Sequence, residues 1–352
     1  MLPLHEAMLY EKIEGKKVRC NLCGRRCLIQ DGTTGFCRVR RNNFGILYTL
    51  NYAKACAANV DPIGKKPLSH FHPGSSVLSV ATVGCNFRCQ FCDNWNISQE
   101  KEVAGKHFPP EDVVNAAISN GCIGISYTYT EPTIFFEYAY DISILAHRKG
   151  LFNTFVTNGF MTPEAVRTIS PYLDAATVDF KGGGDPEFYK KFSAVPSVEP
   201  IYECLKEMKA QKIHIEITNL VIPKIGDSIE MMNELTMWIK NNLGPDTPLH
   251  LLRFHPDYKL TDIISTEVKK LEEFYENAKE QGLNYVYLGN VPGHKYEHTY
   301  CPNCHEILIK RYSFSITEWN LTKEMCCQNC GKKIPIKGEL HKEGFSIPYS
   351  IL

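Results

Sequence analysis

Cys85, Cys89 and Cys92 stand with C-x3-C-x2-C spacing in the run Val83-Gly-Cys85-Asn-Phe-Arg-Cys89-Gln-Phe-Cys92-Asp-Asn-Trp95. Thiolates are soft ligands suited to zinc and to iron-sulfur clusters, and most such clusters take four of them. Three thiolates leave one iron of a cubane free for an exogenous ligand, by the logic that separates open catalytic metal sites from closed structural ones. The competing reading is a structural zinc knuckle that borrows a fourth ligand, such as His70 or His72, from elsewhere in the chain.

Eleven of the fifteen cysteines fall into three tight groups. The odd total sits badly with a complete disulfide set, and clustered thiols in a reducing compartment read as metal ligands. Cys20, Cys23, Cys27 and Cys37, with Gly32 and Gly35 to permit turns, form a closed set for a structural zinc or an auxiliary iron-sulfur cluster. Zinc is favoured, because nothing else in the sequence demands a second redox centre. Arg25, Arg26, Arg38 and Arg40 make this segment basic, either a contact for an acidic partner or a solvated face. Cys301, Cys304, Cys327 and Cys330 are two knuckles flanking the strand-like ILIKRYSFSITEW, which is zinc-ribbon logic. Such a module is either purely structural or a contact for a protein or nucleic acid. Cys326 adjoins Cys327, and the register ending before Gly331 favours Cys327. Cys56 is left over. Cys122 and Cys204, among apolar neighbours, are expected as small buried hydrophobes.

The elements that must position the central triad alternate between β-rich and amphipathic helical stretches. SVLSVATV precedes it; PPEDVVNAAISNG, IFFEYAYDISILAHRKG, TPEAVRTISPYL, SVEPIYECLKEMKAQK, SIEMMNELTMWIKNNLG and STEVKKLEEFYENAKEQG read as helices between the strands GISYTYT, LFNTFVTNG, AATVDFK, IHIEITNLVIP, PLHLLRFHP and NYVYLGN. Repeated β-then-α units imply right-handed crossovers and a parallel sheet. The fold class is therefore α/β, a partial or complete parallel (β/α) barrel, with a doubly wound open sheet as the competitor. Three parts are expected: residues 1–75 as an N-terminal Cys-rich module and lead-in, 76–295 as the barrel core, and 296–352 as the C-terminal zinc-ribbon-like module. In either architecture reacting groups collect at the carboxyl ends of the strands.

The triad after the first strand, with Phe91 before its last cysteine, resembles the motif of the radical S-adenosylmethionine (SAM) enzymes. That resemblance implies a [4Fe-4S] cluster whose open iron takes the amino and carboxylate groups of SAM, and a 5′-deoxyadenosyl radical as the cofactor's own hard chemistry. Tyr129-Thr130-Glu131-Pro132 stands where the superfamily has Gly-Gly-Glu-Pro, with Glu131 as acceptor for the cofactor's amino group. Asp179 and Lys181 resemble the Asp-x-Lys of pyruvate formate-lyase activating enzymes. Asn158, in Thr157-Asn158-Gly159, and Thr218, in Thr218-Asn219, end further strands; His255 or Arg253 can face the substrate or be satisfied structural groups.

Over nearly the whole chain the segments Cys20-Asn-Leu-Cys23 with Cys27, Gly35-Phe-Cys37-Arg-Val-Arg40, Asp61-Pro-Ile-Gly-Lys-Lys-Pro-Leu-Ser-His70, Gly84 to Trp95, Tyr127-Thr-Tyr-Thr-Glu131-Pro132, Asp179-Phe-Lys181, Gly289-Asn-Val-Pro-Gly293 and His298-Thr-Tyr-Cys301-Pro-Asn-Cys304 resemble the radical enzyme of the AmmeMemoRadiSam system, a branch similar to the pyruvate formate-lyase activating enzymes. The resemblance implies AMMECR-type and Memo-like proteins as partners. The expected activity is SAM cleavage followed by hydrogen abstraction from a protein or small molecule, in the sharper version activation of a glycyl-radical partner. Such chemistry requires an electron donor such as a ferredoxin or flavodoxin.

The rival class is a non-catalytic zinc or iron-sulfur metalloprotein, a binding module or electron carrier. Lys and Arg total 39 against 39 Asp and Glu, which weakens a purely nucleic-acid-binding role. No Ser-His-Asp arrangement or paired carboxylate stands out, and hydrogen abstraction needs neither. The start, MLPLHEAMLYEKIEG, lacks an apolar run long enough for a secretory signal or membrane span, so a cytoplasmic protein is expected.

Overall fold

The computed structural model describes residues 4–341 and 348–352. Residues 1–3, at the start of the segment read for a signal, and 342–347, inside the expected C-terminal module, lie outside the described residues.

Seven parallel strands pair strictly in chain order: Ser76–Ala81, Gly124–Tyr127, Phe152–Thr157, Ala175–Lys181, His214–Val221, Leu249–Arg253 and Val286–Gly289. A doubly wound sheet would reverse its strand order at a switch point. None occurs here, which removes that alternative. Nor do the described strands close the ring, since Ala57–Pro62 pairs antiparallel with Ser76–Ala81, and Tyr349–Ser350 caps the same edge. The core is a partial (β/α) barrel, with a strand from the lead-in forming part of its sheet.

Sequence chemistry explains the units. Ser76–Ala81 is buried throughout and Ala175–Lys181 nearly so, as expected of parallel strands covered on both faces. The helices between them start on caps or on proline. Thr162 accepts from Ala165 N before Pro163–Ile169, Ser228 accepts from Met231 N before Ile229–Asn242, and prolines open Pro110–Ser119 and Pro163–Ile169. Phe136–Arg148, Glu199–Ala210 and Val268–Glu280 complete the set anticipated from apolar periodicity. Pro186–Ser193 was not anticipated; it follows three glycines, Gly182 to Gly184, all at positive φ.

The N-terminal segment builds two three-stranded sheets, one from His5–Glu6, Ile46–Thr49 and Arg40–Asn43, the other from Tyr10–Ile13, Lys17–Cys20 and Leu28–Ile29. It is clamped to the barrel by a buried ion pair in which Arg40 Nη1 lies 2.9 Å from Glu137 Oε1. Three more of its arginines are also engaged: Arg26 pairs with Glu164, while Arg25 and Arg38 donate to carbonyls. Of the solvated basic face expected there, Arg26 remains exposed beside Glu164, while Arg25, Arg38 and Arg40 serve as clamps. In the C-terminal module the single strand-like stretch is a hairpin of Ile307–Tyr312 and Ser315–Trp319, turning at Ser313 with φ 54°. Cys122 and Cys204 are buried as expected. No helix among the described residues is long and apolar enough to cross a membrane.

Candidate functional site

At the carboxyl ends of the parallel strands lies a cavity of about 560 Å³, with Cys85, Cys89 and Cys92 in its wall. The triad follows Ser76–Ala81 and enters a loop that ends in the single helical turn Trp95–Ser98. Its thiols are sheltered: Phe87 N approaches Cys85 Sγ at 3.4 Å, Cys89 Sγ lies 3.4 Å from Ser193 Oγ, and Cys92 Sγ 3.2 Å from Ser98 Oγ. Burial pushes all three thiols above the ordinary range, so metal binding there releases protons.

Neither proposed fourth ligand can serve the triad. His70 Nε2 is 2.6 Å from Tyr287 Oη and its Nδ1 3.4 Å from the Pro335 carbonyl. His72 stacks on Phe152, the first residue of its strand and thus at the opposite end of the sheet. The zinc-knuckle alternative loses both of its candidate donors.

All eight residues expected to hold the cofactor line this one cavity: Tyr129, Thr130, Glu131, Asn158, Asp179, Lys181, Thr218 and His255. Their places differ in kind. Glu131 is 1% exposed and already saturated on one side. Its Oε1 accepts from Thr133 N at 3.0 Å, Thr133 Oγ1 at 2.6 Å and Thr157 Oγ1 at 2.7 Å, while Oε2 accepts only Asn158 N at 2.8 Å. Acceptor capacity for an ammonium group therefore remains on Oε2 alone. Burial raises the pKa of Glu131 against the opposing effect of these donors.

Tyr129 adopts φ 63°, the left-handed region that the glycine of related motifs reaches without cost. The backbone path survives because the ring is pinned. Its hydroxyl meets Asp61 and, at 3.0 Å, Asn59 Nδ2, and Lys66 Nζ stands 4.4 Å from the ring centre. Thr130 Oγ1 donates to the Thr82 carbonyl at 2.7 Å. Asn158 Nδ2 donates to Asn86 Oδ1 at 2.7 Å, next to Cys85.

Strand register then builds the inner wall in layers, as barrel geometry requires. Asp179, Thr218, His250 and Tyr287 are consecutive partners across four strands, and Lys181, Leu220, Leu252 and Gly289 form the next layer outward. Thr218 does not end its strand, which continues to Val221; its hydroxyl donates to Asp179 Oδ1 at 2.6 Å. Asn219, on the alternate face, instead accepts from Gly183 N. Lys181 Nζ is 3.7 Å from Asp179 Oδ2. His255 lies exposed at the rim, and Arg253 spends its Nε on the Thr266 carbonyl.

Beneath the outer layers is a polar cluster that residue-by-residue sequence reading did not single out. Glu216, fully buried, receives His250 Nε2 at 2.7 Å, His214 Nε2 at 3.1 Å, Ser69 N at 3.0 Å and His70 N at 2.7 Å. Burial works to raise its pKa, but the imidazole hydrogen bonds and their charge hold the carboxyl well below the usual range. Tyr287 Oη continues the network to Thr299 Oγ1 at 2.9 Å, which Arg311 Nη1 meets at 2.7 Å. Arg311, Ser313 and Phe314 of the C-terminal hairpin line the same cavity. The available signals were His214-x-Glu216 on one strand, His250 on the next, and the Asp61 to His70 run.

The four thiols of Cys301, Cys304, Cys327 and Cys330 lie within 4.8 Å of one another, the Cys301–Cys330 and Cys304–Cys327 sulfurs each 3.6 Å apart. Zinc bonded tetrahedrally to sulfur at ~2.3 Å sets sulfurs ~3.8 Å apart. The set fits one ion, and Cys327 rather than Cys326 belongs to it. Cys20, Cys23, Cys27 and Cys37 surround a separate small cavity in the N-terminal segment.

Comparison with known proteins bears on the whole arrangement. The profile of the radical SAM superfamily matches residues 79–236. An uncharacterized protein of Methanocaldococcus jannaschii is 46% identical over 336 residues, covering 95% of this chain and 99% of its own length. A second uncharacterized protein of that organism is 22% identical over 289 residues, covering 76% of each. A radical SAM methyltransferase from Sphaerobacter thermophilus superimposes with a TM-score of 0.50 at 15% identity, over 62% of this chain and 68% of the other, a likeness of fold alone.

Proposed function

Since the chain belongs to the radical SAM superfamily, we propose that Cys85, Cys89 and Cys92 hold three irons of a [4Fe-4S] cluster and that the cavity behind them receives SAM and a substrate. When bound, the cluster and SAM supply a 5′-deoxyadenosyl radical that abstracts hydrogen. The remainder is the work of this chain's residues. Glu131 Oε2 accepts from the amino group of SAM, Asp179 and Lys181 contact its polar groups, and Tyr129, Thr130, Asn158 and Thr218 shape the walls around it. The buried layers below exclude water.

One observation carries this reading: three sheltered thiols face a cavity, and among the described residues neither His70 nor His72 is free to complete their set. The test is anaerobic reconstitution with iron and sulfide, then reduction in the presence of SAM. We expect 5′-deoxyadenosine from the native chain and none from Cys89→Ala. An iron-loaded native chain that leaves SAM intact would overturn the assignment.

The finer reading is a member of the AmmeMemoRadiSam branch, similar to the pyruvate formate-lyase activating enzymes. What supports it is placement. Two runs quoted for that branch, Asp61 to His70 and Gly289 to Gly293, contribute Lys65, Lys66, Ser69, Gly289 and Asn290 to the cavity wall, where a substrate would be distinguished. On this reading the substrate is a small molecule or a protein segment, AMMECR-type and Memo-like proteins are partners, a ferredoxin or flavodoxin supplies the electron, and the C-terminal four-cysteine set holds zinc. A glycyl-radical signal by electron paramagnetic resonance on a purified partner would establish the activase version; its absence with every such partner would leave the broader one.

A further inference from the structure

The N-terminal four-cysteine set differs from the C-terminal one in geometry. Cys20, Cys23, Cys27 and Cys37 ring an enclosed cavity of about 20 Å³. Among the described residues only the C-terminal set brings its sulfurs within 4.8 Å of one another. A single zinc bonded at ~2.3 Å on four sides draws its sulfurs together and leaves no such space. A cubane binds each thiolate through a different iron, which spreads the sulfurs around a central volume.

Two further atoms show that this cavity is built to receive an occupant bearing acceptors. Asn86 and Arg40 both line this cavity, and both are essentially unexposed. Asn86 Nδ2 and Arg40 Nε have no hydrogen-bond partner. Two buried N–H donors without acceptors each cost about 1–3 kcal/mol unless a ligand accepts from them. Inorganic sulfide and thiolate sulfurs are such acceptors, and hydrogen bonds to sulfur are among the means by which a protein tunes a cluster.

The cavity also abuts the catalytic loop. Asn86 is the neighbour of Cys85 in sequence, and its Oδ1 accepts from Asn158 Nδ2 in the main site. Arg25 Nε donates to the Asn86 carbonyl at 2.6 Å, Arg88 donates to the Phe36 carbonyl, and a Cβ built on Gly84 would meet the Cys37 carbonyl oxygen at 3.2 Å.

We propose that Cys20, Cys23, Cys27 and Cys37 bind a second, fully coordinated [4Fe-4S] cluster that relays a single electron to the cluster of the Cys85, Cys89 and Cys92 triad. The relay's destination rests on the reading above; the cluster itself does not. One electron from a reduced ferredoxin or flavodoxin reduces the second cluster, which is reoxidised as the triad's cluster is reduced, and no atoms move.

The test uses the full chain carrying Cys85→Ala, Cys89→Ala and Cys92→Ala, reconstituted anaerobically with iron and sulfide. This leaves the N-terminal set untouched. We expect roughly four irons and four sulfides per chain, against roughly eight of each in the native chain, and a cluster signal by electron paramagnetic resonance after reduction. Cys20→Ser with Cys37→Ser should retain only the other four. An iron-free triad variant with roughly two zincs per chain would overturn the proposal. If the triad variant and native chain both hold roughly four irons, the second cluster stands and the triad reading falls. The relay is read separately: mixed with reduced flavodoxin, the native chain should reduce its triad cluster at least tenfold faster than Cys20→Ser with Cys37→Ser. Equal rates would remove the relay.

Discussion

The carboxylate of Glu131 accepts the backbone N–H of Asn158 at 2.8 Å, joining the loop after Gly124–Tyr127 to the end of Phe152–Thr157. The residue proposed to meet the cofactor is thus also the brace between two strand ends. Glu131→Ala would leave the donors of Thr133, Thr157 and Asn158 without their acceptor. We expect a loss of about 3 kcal/mol in denaturant unfolding, together with lost SAM binding. Glu131→Gln keeps one acceptor oxygen and should recover part of the stability. Equal stability of Glu131→Ala and the native chain would remove the bracing role.

Glu216 predicts a pH signature. A carboxyl group whose folded pKa is depressed contributes stability above its unfolded value, ~4.3, and loses it as pH falls through the folded value. Held low by His214 and His250, Glu216 should make the native chain more stable than Glu216→Gln by about 2 kcal/mol at neutral pH. That difference should shrink only below roughly pH 4. A gap that widens in acid would show the sign to be reversed.

Arg40 and Glu137 form a buried pair in which neither side chain is more than 2% exposed. Removing one partner strands the other charge. Arg40→Ala should therefore cost about 3 to 5 kcal/mol, whereas Arg40→Met combined with Glu137→Leu should lose less than the sum of the single changes. Chemical denaturation of the four proteins in the cycle measures the coupling. Additive effects would mean that the N-terminal segment is held by its apolar contacts alone.

For the C-terminal set, Cys327→Ser should abolish zinc binding while Cys326→Ser retains it, as read by metal analysis of purified protein. Loss of the ion should also raise amide exchange across Ile307–Tyr312, the strand that carries Arg311 to the cavity. Zinc retained by Cys327→Ser would reassign the ligand.

Much of this site was legible in the residues because its chemistry is local. Cys85, Cys89 and Cys92 lie within one short loop, and the period-two and helical patterns around them foretold seven parallel strands and most of the helices. Glu131 and Asp179 stand out by their resemblance to motifs of the superfamily, and the rule that strand ends converge adds weight to them. The Glu216 network was not legible, because it joins residues on separate strands whose partners are chosen by register, and Arg311 comes from a hairpin beyond the barrel.

Spacing alone sorted the cysteines into three groups, of which the structure draws the C-terminal four thiols together, and showed that the first strand delivers the triad to a loop. Only the tertiary structure decided between an open-edged partial barrel and a doubly wound sheet, placed Thr218 inside rather than at the end of its strand, and distinguished two four-thiol sets of similar appearance. The physical reason is that ligand spacing along a chain constrains contour length, whereas the volume the sulfurs enclose depends on the packing of elements far apart in sequence.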